Sequence, residues 1–254
     1  MTSPSIFAIA QTNTLDLCIQ NNVLNHIELI KQASEGGAEL VVFPELSLTG
    51  YALPKLNSIA MKEDDDSLCQ LSHAAQAHNI DVIVGCPLEV TDNKPAIGAA
   101  YFSRQGQMER YGKQYLHQGE AKWCSPGSKS FVFELNGLKL ALAICADFCN
   151  PQHAIDALEL GADMYLVSAL ISRSGYDADS EILSSIAKRH HFPVVLSNHV
   201  GQTGGWECAG KSAVWDADGK RVATAASDKQ GLLIVRFDGQ MVNVVDIAHE
   251  NRVT

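Results

Sequence analysis

The side chains of this sequence that could do chemistry gather where apolar stretches end. In LKLALAICADFCNPQ, residues 138–152, Leu138, Leu140, Leu142 and Ile144 alternate with Lys139, Ala141, Ala143 and Cys145 before the chain turns polar. The alternation predicts a strand with Cys145 on the side opposite Leu142 and Ile144. A free cysteine is most often a packed core thiol. A thiol at a strand end, followed by a turn and a helix start near Pro151, also has backbone N–H groups aimed at it, which favour a thiolate and can hold an oxyanion. Both readings stand on this segment alone. In VVFPELSLTGY, three apolar residues and Pro44 deliver Glu45 to a strand end, and Gly50 turns the chain away before Tyr51. An isolated glutamate there is usually a solvated one. Lys113 and Glu120 stand seven apart in RYGKQYLHQGEAKWCSPG. A surface pair is the ordinary reading, although Trp123, Pro126 and Gly127 indicate a shaped, partly apolar loop.

The elements that must position these residues are short. SIFAIAQ from Ser5, ELVVFPE from Glu39, DVIVGCP from Asp81, AAYFSR from Ala99, SFVFELN from Ser130, LKLALAIC from Leu138, DMYLVSAL from Asp163 and PVVLSNHV from Pro193 have strand lengths and compositions. Helices are expected where Val23, Ile27 and Ile30 share a face that ends at Gly36 and Gly37, and over 66–77, 152–160 and 179–190. Strand, helix, strand, helix, strand occurs twice, around hairpin-like strands and before a β-rich C-terminus. The expectation is an α/β fold of one domain, residues 1–254, with mixed sheets back to back, helices outside and an internal pseudo-symmetry.

Composition narrows the function. The chain has 254 residues, 46% of them apolar and 19% charged, with a net charge of −10. Lys and Arg are scattered rather than gathered into a stripe, so nucleic acid is not an expected partner. The acidic run at Glu63–Asp66 reads as a solvated loop. MTSPSIFAIAQ lacks a basic segment followed by an apolar core, and no stretch of eighteen apolar residues occurs, so a soluble, cytoplasmic protein without a membrane partner is expected. The seven cysteines suit reduced thiols, and no paired CxxC suggests zinc. Nine scattered histidines give no metal-ligand pattern, so neither metal nor cofactor is expected.

ELVVFPELSLTGY, YGKQYLHQGE and LALAICADFCNP, in that order and separation, resemble the three signature segments of the carbon–nitrogen hydrolase family, the nitrilase superfamily. IFAIAQ, GAEL, GADMYLVSA, FPVVLSN and GKSAVWDADG extend the resemblance over nearly the whole chain. It implies a four-layer α-β-β-α sandwich and a Glu-Lys-Cys triad. By position Glu45 matches the general base, Lys113 the cationic stabiliser, Cys145 the nucleophile and Glu120 the second glutamate. Ala146, through its N–H, and Tyr51 are the expected oxyanion and pocket residues. The resemblance further implies a homodimer or larger homo-oligomer and a cofactor-free reaction on a small-molecule amide.

Such a reaction asks Glu45 to take the thiol proton, return it to the departing nitrogen, and then activate water against a thioester. Reference pKa values of about 4.3 and 8.5 make the first transfer uphill by roughly 4 units. Burial of the carboxylate, and Lys113 and N–H groups lowering the thiol, are expected to close that gap. Ala146, Cys149, Asn150 and Gln152 stand where the family commonly has an aromatic, an arginine, an aromatic and a glutamate. Asp147 is retained and reads as a cap for the turn or the next helix. Ala146-Asp147 in place of Trp-Glu favours an amide or carbamoyl substrate over a nitrile. A fold-retaining binding protein and a redox-active Cys145–Cys149 pair are the competing readings.

Overall fold

The computed structural model describes residues 4–91, 93–238 and 242–249. Its first half runs β1 (Ser5–Gln11), α1 (Ile19–Glu35), β2 (Leu40–Val42), the short α2 (Leu56–Ile59), α3 (Asp66–Ala77), β3 (Asp81–Leu88), β4 (Ala96–Phe102) and β5 (Met108–Gly112). The second runs β6 (Phe131–Leu135), β7 (Leu138–Ile144), α4 (Pro151–Glu159), β8 (Met164–Ala169), α5 (Tyr176–His190) and β9 (Val194–Asn198). After it come β10 (Gln202–Thr203), β11 (Trp206–Glu207), β12 (Ala213–Trp215), β13 (Arg221–Thr224), β14 (Gly231–Phe237) and β15 (Val242–His249).

The long strands form two mixed sheets, ordered β15-β14-β1-β2-β3-β4-β5 and β13-β12-β9-β8-β7-β6. Each has three parallel strands joined by helical crossovers, β1-β2-β3 and β7-β8-β9, and its remaining neighbours pair antiparallel. The order β14-β1-β2-β3-β4-β5 therefore has its counterpart in β6-β7-β8-β9-β12-β13, which is the internal symmetry expected from the repeated element pattern.

Residue alternation sorts the layers. Phe7, Ile9, Leu40, Val42 and Ile83 meet Leu140, Leu142, Ile144, Leu166 and Val195 between the sheets. The opposite faces, Ala8, Ala10 and Val41 on one sheet and Ala141, Ala143 and Val167 on the other, pack against α1 with α3 and against α4 with α5. Strands with apolar residues on both faces are what a covered parallel sheet requires. The expected α-β-β-α sandwich is the observed fold.

Local chemistry sets the element ends. The Gly36 N–H bonds Gln32 O to close α1, Asp65 accepts from Ser67 N to start α3, and Asn150 accepts from Gln152 N to start α4 with Pro151 behind it. Asp65 gives one residue of the acidic run a capping role. β2 is shorter than its apolar run suggests, because Pro44 has no N–H to continue the ladder. β5 was not apparent in the sequence, since MERYG mixes charged and apolar residues at an edge of its sheet. α5 begins three residues before the expected Asp179.

Two buried serines lace the sheets together. Ser197 Oγ on β9 lies 2.6 Å from Ala10 O and 3.1 Å from Val42 O, and Ser168 Oγ on β8 donates to Phe43 O at 2.8 Å. Ser197→Ala is expected to lower stability by about 1–3 kcal/mol, since buried carbonyls lose their donor. Ser58→Ala, at an exposed hydroxyl bonded to Lys55 O, should stay within about 0.5 kcal/mol. Urea unfolding measures both, and equal midpoints would show that the lacing contributes nothing.

Candidate active site

β1, β2, β3 and β5 all run the same way, as do β7, β8 and β9, so the carboxyl ends of strands converge near the seam between the sheets. Glu45 lies three residues past β2, Lys113 directly after β5 and Cys145 directly after β7. Glu120 starts a 3₁₀ turn, Glu120–Lys122, after the loop that follows Lys113. Sequence positions spread over a hundred residues are thereby brought into one buried cluster.

Lys113 is the centre of that cluster. Its Nζ donates to Glu45 Oε1 at 2.7 Å and to Glu120 Oε1 at 2.8 Å, and all three side chains are 0% exposed. The two carboxylates differ in what remains open. Glu120 Oε1 also accepts from the Tyr51 hydroxyl at 2.6 Å, and Oε2 accepts from His117 N at 2.6 Å. Both of its oxygens are thus engaged. Glu45 Oε2 is buried without a partner of hydrogen-bond geometry. The free oxygen on Glu45 is available to take a proton, whereas Glu120 is arranged as a fixed anchor for Lys113.

Protonation follows from this packing. Burial raises the Glu45 pKa, the Lys113 charge opposes that and the Glu120 charge adds to it. Burial disfavours the Lys113 ammonium, but Glu45, Cys145 and Glu120 together hold its pKa above the ordinary value. Burial and then the neighbouring carboxylates keep the Tyr51 hydroxyl a proton donor. The thiol differs from expectation. Burial and Glu45 raise the Cys145 pKa more than Lys113 lowers it. Cys145 therefore rests as a thiol, and its Sγ donates to Leu170 O at 3.7 Å.

The backbone at the thiol also departs from the sequence reading. Strand alternation stops at Ile144; Cys145 has φ +45° and packs against both the inter-sheet core and the core beneath α4 and α5. Holding a β-unbranched but non-glycine residue in this left-handed region costs roughly 1–3 kcal/mol, a strain typical of functional turns. The turn at the thiol is a separate 3₁₀ segment, Cys145–Cys149, not the start of α4. Its leading N–H groups, Ala146 among them, are those a helical turn leaves without intrahelical partners.

Asp147, expected as a cap, does cap this turn: its Oδ2 accepts from Ile144 N at 2.9 Å. It also reaches the lysine strand. Oδ1 accepts from Gln114 N and Tyr115 N at 2.9 and 2.8 Å, and Oδ2 accepts from the Tyr111 hydroxyl at 2.7 Å. His153 joins Tyr111 and Tyr165 behind it, at 2.8 and 2.7 Å. One buried carboxylate thereby fixes the thiol turn against the residues on either side of Lys113.

The Glu45 segment is held from its other side. His199 Nε2 bonds Glu45 O at 2.7 Å, and His26 Nε2 lies 2.9 Å from Ser47 Oγ. Gly85 on β3 passes so near that an added Cβ would meet Pro44 O at 2.2 Å and Leu46 N at 2.4 Å. These supports were not apparent in the sequence, where the histidines are scattered and Gly85 sits inside a strand.

A cavity of about 270 Å³ opens on the thiol, lined by Glu45, Tyr51, Cys145 and Ala146 at its deep end and by Cys149, Asp179 and Trp206 among the outer residues. The expected pocket residues Tyr51 and Ala146 thus both border it. Asp179 and Trp206 carry no sequence signal, because neither lies near a signature segment. Among the described residues, no group of three or more His, Cys, Asp or Glu side chains is arranged to hold a metal ion, and no helix is long and apolar enough to cross a membrane.

Residues 7–245 match the family model described as Carbon-nitrogen hydrolase. The chain is 28% identical over 207 residues to a 2-oxoglutaramate amidase of Bacillus subtilis, covering 80% of this chain and 79% of that protein. It is 25% identical over 240 residues to a nitrilase of Pyrococcus abyssi, covering 92% and 90%. Against a glutamine-dependent NAD(+) synthetase of Thermotoga maritima it is 26% identical and spans 41% of that protein's length. Among solved structures, an amidase from Nesterenkonia sp. AN1 superposes with a TM-score of 0.86 at 24% identity, over 92% of this chain and 90% of that one, which supports the fold.

Two outcomes follow from the site. A pH titration of absorbance at 240 nm, taken as wild type minus Cys145→Ala, should show no thiolate step through the usual cysteine range, because burial and the Glu45 charge hold the thiol above it; a step near neutrality would mean a resting ion pair instead. His26 and His199 are each lowered by burial from 6.5 to about 4. The unfolded chain then binds protons that the folded chain refuses. Their contribution is complete above pH 6.5 and is lost as the pH falls toward 4, by about 3 kcal/mol per histidine. Chemical unfolding across that window should show the slope, and His199→Gln should reduce it.

Proposed function

The chain belongs to the carbon–nitrogen hydrolase family, and from that premise we propose that it hydrolyses the C–N bond of a small linear amide or N-carbamoyl compound through a thioester on Cys145. The observation that carries this reading is the unequal pair of carboxylates on Lys113, one with both oxygens engaged and one with Oε2 free.

The steps use only groups in the cluster. As Cys145 Sγ attacks the carbonyl carbon, its proton passes to Glu45. Because both the thiol and the carboxyl hold protons more tightly than usual, transfer accompanies attack and no thiolate accumulates. The carbonyl oxygen becomes an oxyanion facing the Ala146 N–H and Lys113, whose third N–H is not committed to Glu45 or Glu120. Collapse breaks the C–N bond, and Glu45 gives its proton to the leaving ammonia or amine. Water then loses a proton to Glu45 as its oxygen attacks the thioester. The C–S bond breaks, the acid product leaves, and the sulfur recovers the proton. Glu120 and Tyr51 keep Lys113 in place throughout. Supporting an amide over a nitrile is the small Ala146 beside the thiol, which leaves room for a tetrahedral centre with an amine leaving group.

Ammonia release should be measured over short amides, ω-amides and N-carbamoyl amino acids. Cys145→Ala is expected to abolish it. Glu45→Gln should lower kcat by at least about 100-fold, the scale of general acid–base catalysis. Intact-mass analysis of wild-type protein quenched during turnover should reveal an acyl adduct confined to Cys145. Equal inactivity of wild type and Cys145→Ala over the whole panel, without adduct, would favour a binding protein that keeps this fold.

A further inference from the structure

The outer half of the cavity has its own chemistry. Asp179 sits in the first turn of α5 and lines the cavity together with His117, Cys149, Ser172 and Trp206. Its carboxylate makes no hydrogen bond or ion pair with any described residue, and it is half-buried. Asp177, in the same turn, is exposed, so favourable interaction with the helix N-terminus does not by itself place Asp179 against the cavity. No Lys or Arg lines this space among the described residues. Arg173 is adjacent in sequence, but its Nε turns 3.3 Å from Glu207 and both side chains are 58% exposed. At the deep end, one ammonium faces the two carboxylates of Glu45 and Glu120.

An anionic substrate would therefore bring its charge into a cavity whose one basic lining side chain among the described residues, His117, already sits against the Asp179 charge, and would face Asp179 itself. A substrate with a cation at the end remote from the amide would instead meet a carboxylate without a hydrogen-bond partner and the aromatic ring of Trp206, the pair of groups that suits an ammonium. Trp206 is held there by its hairpin: the β10–β11 turn is anchored where Gly204 N donates to Asp16 Oδ2 at 2.9 Å, and Thr203 Oγ1 accepts from Tyr51 N at 2.8 Å. The same anchor ties the hairpin to Tyr51, and so to the Glu120 end of the cluster.

Resting on the hydrolase reading above, we propose that Asp179 is the specificity-determining residue of this cavity and selects amides that carry an ammonium or amidinium group at their far end. The small volume, about 270 Å³, suits a linear chain rather than a branched or aromatic one.

The test compares three amides of similar length, 5-aminopentanamide, pentanamide and glutaramate, which are cationic, neutral and anionic. In wild type, kcat/KM should fall in that order, with about tenfold between the first two, the scale of one well-placed charge pair. Asp179→Asn should shrink the ratio of cationic to neutral substrate by about tenfold, mainly through KM. Asp179→Lys should invert the ranking of cationic and anionic substrates. A second readout needs no turnover: labelling of Cys145, mapped by peptide mass, with cationic 2-aminoethyl methanethiosulfonate or anionic 2-sulfonatoethyl methanethiosulfonate. The cationic reagent should be favoured, and Asp179→Asn should reduce that preference. If no amide is turned over while the labelling preference depends on Asp179, the hydrolase reading fails and the cation selection stands. A wild-type preference for the neutral or anionic partner, or ratios unmoved by Asp179→Asn in both assays, overturns the proposal.

Discussion

Lys113 is an ammonium taken wholly out of water, and the rest of the site is organised around making that tolerable. Burying an unpaired charge costs several kcal/mol even after relaxation, and one partner rarely compensates in full. Two carboxylates meet this one, at 2.7 and 2.8 Å, but they introduce a second problem, since like charges close together repel. The structure resolves it asymmetrically. Tyr51 and the His117 N–H complete the hydrogen bonding of Glu120, while Glu45 keeps one oxygen unpaired. The unmet demand of the cluster is thereby concentrated on Glu45 Oε2, in the residue whose pKa the thiol also influences. A fully satisfied cluster would be more stable and would have no oxygen left to accept a proton.

Positions so constrained need rigid supports, and the pseudo-symmetric sheets supply them. β2, β5 and β7 end on the same side of the sandwich, so three short loops suffice to bring Glu45, Lys113 and Cys145 together. Asp147 ties two of those loops by four hydrogen bonds from one side chain. His199 and the close approach of Gly85 fix the third. Because Asp147 binds the N–H groups of Gln114 and Tyr115 as well as Ile144 N, a shift of the thiol turn must also move the loop behind Lys113. The Cys145 turn and the loop behind Lys113 are thus mechanically one unit, although β7 and β5 lie in different sheets.

What the sequence disclosed follows from which physics is local. The parallel strands and their helices were visible because they are apolar on both faces or end in capping residues such as Asp65 and Gly36, features contained within a few residues. β5 was not visible, since an edge strand that reads MERYG need bury only part of its surface. Glu45, Lys113, Glu120 and Cys145 were legible through three segments taken together, and none carries the signal alone. The thiol's backbone conformation and protonation state were misjudged for a single reason. Both were extrapolated from local rules, strand alternation and a nearby ammonium, whereas the left-handed turn at Cys145 and the burial of the whole cluster are properties of the assembled fold.

The two ends of the cavity are consequently under different constraints. Deep residues answer to one another: changing Glu120 alters Lys113, which alters Glu45, so their types are nearly dictated once the cluster is buried. The outer residues come largely from α5, from the turn after Cys145 and from the β10–β11 hairpin, and His117 among them bonds the cluster only through its backbone, whose N–H donates to Glu120 Oε2. Nothing in the proton chemistry demands a carboxylate at Asp179 or an indole at Trp206. Residues free of that demand can follow the substrate instead, and the proposed cation selection places the choice among molecules that share the same amide on the charge of the outer wall rather than on the residues around the thiol. On the proposed reading the thiol beside the buried Glu-Lys-Glu cluster sets which bond breaks, and Asp179, outside all three signature segments, sets what is attached to it.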